Sequence, residues 1–254
     1  MRGRAPKGNF IWLALGLPML AYLALPMVAL VAMGGLPSAL HQLGSESARQ
    51  AIALSVRTTL TSAALIGLFG TPLAYWLSRG RGWGRRGVEV LVELPVALPP
   101  AAAGVALLAA FGRHGFIDLG VSFTTTAVVM AQIFVAAPFF MRAAIGAFGQ
   151  VPDELFDVAR ADGAGPLALF FGVAVPIASR ALIGGLVVAW ARAAGEFGAT
   201  IIFAGNFPGR TQTMPLAIYL GFEVNLQEAL ALSVVLMGVA VIGFGFSQWM
   251  MREG

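Results

Sequence analysis

Long uncharged apolar runs alternate along this chain with short charged segments. A hydrocarbon core about 30 Å thick is crossed by about 20 residues of helix rising about 1.5 Å each, so uncharged runs of that length predict membrane spans. Residues 10–33, 58–77, 94–112 and 119–141 carry no charged side chain, and residues 229–251 make a fifth such run. Between residues 163 and 209 the pattern is mixed. One uncharged run there is studded with Gly163, Gly165, Pro166, Gly172 and Pro176, and the next is interrupted by Arg192 and Glu196. Hydropathy alone permits six or seven spans. Proline removes a helical donor and clashes with the preceding turn, which makes residues 163–176 a poor continuous helix in lipid and places the sixth span at about residues 177–203.

The charges favour an even number of spans. With the amino terminus inside, the cytoplasmic segments hold eleven of the sixteen Lys and Arg residues, while the outer loops hold four, Arg49, Arg57, Arg113 and Arg210. That asymmetry is the positive-inside pattern, and it puts both termini in the cytoplasm. The first run, 24 residues long, exceeds the roughly 7–15 of a signal-peptide core. It is therefore expected as a mature span behind a cytoplasmic tail, residues 1–9.

Composition strengthens this picture and removes several chemistries. The chain is 58% hydrophobic and 11% charged, with a mean hydropathy of +0.83, against roughly 45–50% apolar usage in soluble domains. Without cysteine there is no disulfide framework, thiolate metal site or cysteine nucleophile. His41 and His114, the two histidines, fall near outer loops and lack the i+4 partner of a zinc helix, so no metal site is expected. No G-x-S-x-G occurs, and "GNFPGRT" (205–211) has the wrong glycine spacing and Arg210 where a phosphate loop needs lysine. Any ATP used by this protein is expected on another polypeptide. A net charge of +4 spread over several loops does not form the single basic face of a nucleic-acid binder.

One segment stands out. In "DELFDVARADGAGPLALF" (153–170) five of the first ten residues are charged: Asp153, Glu154, Asp157, Arg160 and Asp162. Acidic groups open it, where a helix dipole favours them, Leu155, Phe156, Val158 and Ala159 add an apolar stripe, and Gly163 with Gly165-Pro166 ends it. The expected element is a short amphipathic cytoplasmic helix followed by a sharp turn. Other polar positions lie near the membrane. Arg192 and Glu196 stand at i,i+4, about 18 Å along the helix from Arg180. At that depth they must pair, with each other or across subunits, or line a wet cavity as a gate. Pro95, Pro99 and Pro100 interrupt the third segment and leave carbonyls without helical donors, which makes either a path-lining break or a kink packed by neighbours. Asn206, Arg210, Thr211, Gln212 and Thr213 place donors and one cation beside a Gly- and Pro-rich turn, to meet an anion, dock a soluble partner or cap the helix at Pro215.

The stretch "DVARADGAGPLALFFGVAVP" (157–176) resembles the EAA loop of ABC-importer permeases. Asp157 matches the acidic position, Ala159 the second alanine, Gly163 the glycine, and Val173, Val175 and Pro176 the ending, while Asp157 replaces the usual glutamate and Val158 the first alanine. "ELPVALPPAAAGVALLAAFGRHG" (93–115) and "GEFGATIIFAGNFPGRTQTMPLAIY" (195–219) look like the permease subunit of molybdate ABC importers, and the likeness covers roughly residues 57–222.

The resemblance implies an all-α fold, a single domain (1–254) of six transmembrane helices in the type I importer arrangement, in the inner membrane of a prokaryote. It implies a homodimer with an ATPase subunit below and an extracytoplasmic solute-binding protein above. Residues of about 150–176 form the coupling loop, with Leu155, Phe156, Asp157, Ala159, Asp162, Gly163, Gly165 and Pro176 at the ATPase contact. The chain itself binds no cofactor, ATP and Mg belonging to the partner. Sulfate, thiosulfate or tungstate permeases are the alternatives within this class. A proton-coupled secondary transporter needs repeated halves with broken helices, and no such repeat is visible.

Overall fold

The computed structural model describes residues 9–34, 41–80 and 82–252, and every regular element among them is helical. The expected tail, residues 1–9, lies almost wholly outside the described residues. The helices are α1 (Asn9–Gly34), α2 (Glu46–Ser78), α3 (Trp83–Ala97), α4 (Pro100–Phe111), α5 (Thr125–Gly149), α6 (Asp153–Ala161) and α7 (Pro166–Leu169). A π turn (Phe170–Ala174) joins α7 to α8 (Val175–Ala194), and α9 (Gly198–Phe203), α10 (Met214–Val224) and α11 (Leu226–Arg252) follow.

Five described helices are long and apolar enough to cross a membrane: Trp12–Gly34, Glu46–Ser78, Thr125–Gly149, Pro166–Ala194 and Leu226–Trp249. Four of these answer to expected spans, with α2 beginning 12 residues before the expected position 58. Two expected boundaries are corrected. Residues 94–112 are not one helix, because the chain is extended at Leu98 and Pro99, between α3 and α4. The span expected at 177–203 instead begins at Pro166 and ends at Ala194, before a non-helical link to α9. The glycines and prolines of 163–176 were expected to break this helix, but Pro166 sits in its first turn, where its missing N–H costs nothing, and the π turn absorbs Pro176.

Side-chain bonds fix the direction of the central helices. α2 and α5 run parallel: Ser62 Oγ lies 3.0 Å from Gln132 Oε1, Gln132 Nε2 donates to Thr58 Oγ1, and Arg79 reaches the Phe148 and Val151 carbonyls. α8 runs antiparallel to both, its Trp190 donating to Thr59 Oγ1 at 3.2 Å. Ser55, Thr58, Thr59, Ser62 and Gln132 are all buried. Small hydroxyl residues let the helices approach closely, and their pairing satisfies polar groups that have no water partner in lipid.

Three apolar clusters result. One, at the α6 end, gathers Phe140, Phe148, Phe156, Leu169 and Leu182 from α5, α6, α7 and α8. A second joins α4, α5 and α9 through Ala103, Leu107, Val128 and Phe203. The third packs the start of α2 on α10 and α11 through Ala48, Met214 and Leu232. By contrast α1 packs on α11 and leaves Trp12, Leu15 and Tyr22 exposed, as expected of a helix that faces lipid.

Candidate functional site

α6 forms as the charge pattern predicts. Asp153 and Glu154 occupy its first turn and Arg160 its last, each matching the helix dipole. Gly163 has φ +86°, a conformation strained for any residue with a Cβ. Its N–H donates to the Arg160 carbonyl and that of Ala164 to the Ala159 carbonyl, the paired bonds of a Schellman end. Asp157 pairs with Arg160 at 2.8 Å. Asp162, Gly163 and Gly165 are exposed, Ala159 is half-buried, and Leu155 and Val158 are 43% and 62% exposed.

Phe156 departs from the expectation that it is buried in a partner. It is 2% exposed within this chain, beside Tyr75 and beneath the Arg79 guanidinium. The apolar stripe is therefore divided, with Phe156 holding α6 to the bundle and Leu155 and Val158 facing outward. Pro176 lies beyond the π turn, at the start of α8.

In the middle of the bundle Arg192 Nη2 lies 3.0 Å from Glu196 Oε2. Glu196 is 1% exposed, and its other oxygen accepts from the Ala199 N–H at 2.8 Å, so one carboxylate both neutralises Arg192 and caps α9. The structure brings this pair to the expected helix break. Arg192, Pro95 and Pro100 line one cavity of about 130 Å³ together with Leu98, Val135 and Phe139. Gly198 is pressed against Pro100, where an added Cβ would come within 2.5 Å of the proline Cβ.

The polar loop after α9 lies at the end of the bundle opposite α6. Gly205 and Gly209 both have positive φ, and the Phe207 carbonyl accepts from the N–H groups of Arg210, Thr211 and Gln212. Thr211 Oγ1 accepts from Phe207 N at 3.0 Å and donates to the Gly205 carbonyl. Asn206 Nδ2 reaches the Leu216 carbonyl at 3.4 Å, and the Arg210 carbonyl accepts from Thr125 Oγ1. Thr211, Gln212 and Thr213 are buried, whereas Arg210 is exposed. The Asn206 amide nitrogen and the Thr211 hydroxyl thus hold the loop and its link to α10, whereas Asn206 Oδ1 and Thr213 Oγ1 are buried without a hydrogen-bond partner.

Two contributors were not singled out in the sequence. Ser55 accepts from the first N–H of α10 at 2.7 Å across 159 residues, and Arg79 grips the start of α6. The only signal for Arg79 was a basic residue at the end of an apolar run. None existed for Ser55, because its partner is set by tertiary packing.

Residues 68–250 match the family model described as "Binding-protein-dependent transport system inner membrane component". The molybdenum transport system permease protein ModB of Mycobacterium tuberculosis (strain ATCC 25618 / H37Rv) is 38% identical over 236 residues, covering 89% of each chain. The probable transport system permease protein NifC of Clostridium pasteurianum is 34% identical over 234 residues, covering 89% of this chain and 82% of the relative. A solved chain of a bacterial ABC transporter involved in the import of the acidic polysaccharide alginate superposes with a TM-score of 0.70 over 97% of this chain and 96% of its own. At 19% identity that likeness bears on fold alone. The chain belongs to the binding-protein-dependent transport system inner membrane component family, an all-helical permease of ABC import systems.

Proposed function

We propose that this chain is the permease subunit of an ATP-driven molybdate importer. The observation that carries this reading is the likeness to the molybdenum permease, spread over 89% of both chains. Tungstate, sulfate and thiosulfate are close in chemistry, four-coordinate oxyanions of the same charge, and they are the substrates against which the reading is tested.

The working arrangement is six crossings. α2 and α5 are parallel, so the chain between them must return the length of the bundle, and α3 with α4 are the helices available for it. The crossings are then α1, α2, α3–α4, α5, α7–α8 and α11, which puts both termini on the α6 side, in the cytoplasm of a prokaryotic inner membrane. α6, within the loop of about 150–176, presents Leu155, Val158, Asp157 and Asp162 to a separate ATPase that holds ATP and Mg. Phe156 and Ala159 seat the helix, and Gly163 and Gly165 turn the chain back into the membrane. A second copy completes the pathway, and a solute-binding protein delivers the anion on the far side.

Within that pathway Arg192 and Glu196 form the gate, beside the break made by Pro99 and Pro100; Pro95, expected to share in it, lies inside α3. Asn206, Thr211, Gln212 and Thr213 shape the outer mouth and leave Arg210 facing the arriving anion. Nucleotide-driven closure of the ATPases moves α6 and switches the bundle between inward- and outward-facing states. The chain performs no covalent chemistry.

Reconstitution with its ATPase and candidate binding proteins tests the reading. Molybdate-loaded binding protein is expected to stimulate ATP hydrolysis and uptake together. Stimulation by sulfate but not molybdate overturns the substrate, and uphill uptake without the ATPase overturns the mechanism.

A further inference from the structure

α6 is joined to the bundle at its first turn by the buried Phe156 and by one side chain that spans the joint. Arg79 stands at the carboxyl end of α2 with its side chain 21% exposed. Its Nη1 donates to Asp153 Oδ1 at 2.6 Å, at the first residue of α6. Its Nη2 donates to the Phe148 carbonyl at 3.1 Å, in the last turn of α5, and to the Val151 carbonyl at 3.0 Å, in the link to α6. The guanidinium carbon lies 3.9 Å from the centroid of the Phe156 ring, on the buried face of α6. One residue thus touches α2, the end of α5, the link and α6.

The chemistry of the joint requires arginine. A planar fork can serve a carboxylate and two carbonyls at once while stacking on an aromatic ring, whereas an ammonium has neither the plane nor the spread of donors. The Phe148 carbonyl lies in the last turn of its helix, where it also accepts from the Val151 N–H at 3.3 Å, and a cation there complements the dipole. The legs are unequal. Asp153 is 87% exposed, so its pairing is screened by water, and the carbonyl and ring contacts bear more of the load.

We propose that Arg79 is the positioning residue that locks α6 to the α2 and α5 ends, so that a displacement of α6 moves the bundle and is not lost in swivelling about the Val151–Pro152 link. The inference rests on the reading of α6 as the ATPase contact.

The test uses the full complex in liposomes with molybdate-loaded binding protein, measuring uptake and ATP hydrolysis in the same vesicles. Molybdate moved per ATP is expected to fall about tenfold in Arg79→Ala and in Arg79→Lys, and about twofold in Asp153→Asn, the scale on which residues carrying conformational coupling act. A merely structural role lowers the yield of complex and moves both rates together, leaving their ratio unchanged. Should Arg79→Ala fail to assemble, Arg79→Lys decides. A parental ratio in Arg79→Lys overturns the proposal.

The chain has no native cysteine, so single cysteines placed at Leu155 or Val158 report on the ATPase contact without background. Cross-linking to the ATPase with a normal Arg79→Lys ratio sinks the role of Arg79 alone. Absence of a cross-link in the otherwise unaltered chain sinks the reading of α6 on which it rests.

Discussion

Two proline-bearing stretches of this chain meet opposite fates. At Pro99-Pro100 the helix breaks, while between Gly165 and Pro176 it runs on. A residue before proline is pushed out of the helical region, and two successive prolines impose this on two successive residues. Leu98 (φ −78°, ψ 135°) and Pro99 (φ −54°, ψ 139°) are accordingly extended. Pro176 stands alone, and Val175 before it keeps helical angles (φ −63°, ψ −46°). Val175 N donates to the Phe170 carbonyl, five residues back, and this widened turn removes the conflict that an ordinary turn would create. Pro18, Pro26, Pro72, Pro95 and Pro138 likewise lie inside helices. Here the pairing of prolines, more than their number, breaks a span.

The difference has a use. The break opens the cavity beside Arg192, while the continuous helix carries Phe170 to Tyr75 and Phe148 above α6, with ring centroids 5.1 and 6.3 Å apart. One region yields space next to a charge, and the other yields a stiff connection between α6 and the membrane.

Removing the charge at the break gives the largest expected effect. Glu196→Ala strands Arg192 and uncaps α9, costing about 3 kcal/mol, and the loss should appear in thermal melts of the detergent-solubilised complex. Glu196→Gln retains a group able to cap α9 and should assemble, yet hydrolyse ATP without matching uptake. Unchanged coupling would discredit the gate.

Filling the tight contact comes next. Gly198→Ala drives a methyl group into Pro100 and is expected to cost about 2 kcal/mol in the same melts. Replacing the paired prolines has a smaller effect. Pro99→Ala with Pro100→Ala lets α3 and α4 join, slowing amide exchange at Leu98, Ala101 and Ala102 about tenfold, whereas Pro99→Ala alone leaves the restriction from Pro100 and should change little. Smallest is Pro176→Ala, which restores a donor at an exposed position and should shift stability by about 0.5 kcal/mol. A larger cost there would mean that the proline itself, and not the packing around it, holds the π turn.

Much of α6 was legible because its signals are local. Acidic residues at its start and Gly163 at its end act through the dipole and a single backbone conformation, and Arg192 and Glu196 are also near in sequence, although Glu196 meets Arg192 from just past the end of α8. The far end of the bundle was less legible. A string of polar residues from Asn206 to Thr213 reads equally as an anion site, a docking surface or a cap for the helix at Pro215, and only the folded loop shows Thr211 to Thr213 turned inward with the Thr211 hydroxyl engaged in its own turn.

By its own order of residues the chain determined its solvent, its helical class, the ends of α6 and the closeness of Arg192 to Glu196, because each follows from hydropathy or from bonds within a few residues. Tertiary structure alone decided that Phe156 faces inward, that Arg79 joins α2 to α6, that Ser55 caps α10, and that Pro176 is absorbed. Those outcomes depend on partners tens of residues away or on the packing around a turn, and they became definite only when neighbouring helices fixed which surfaces meet.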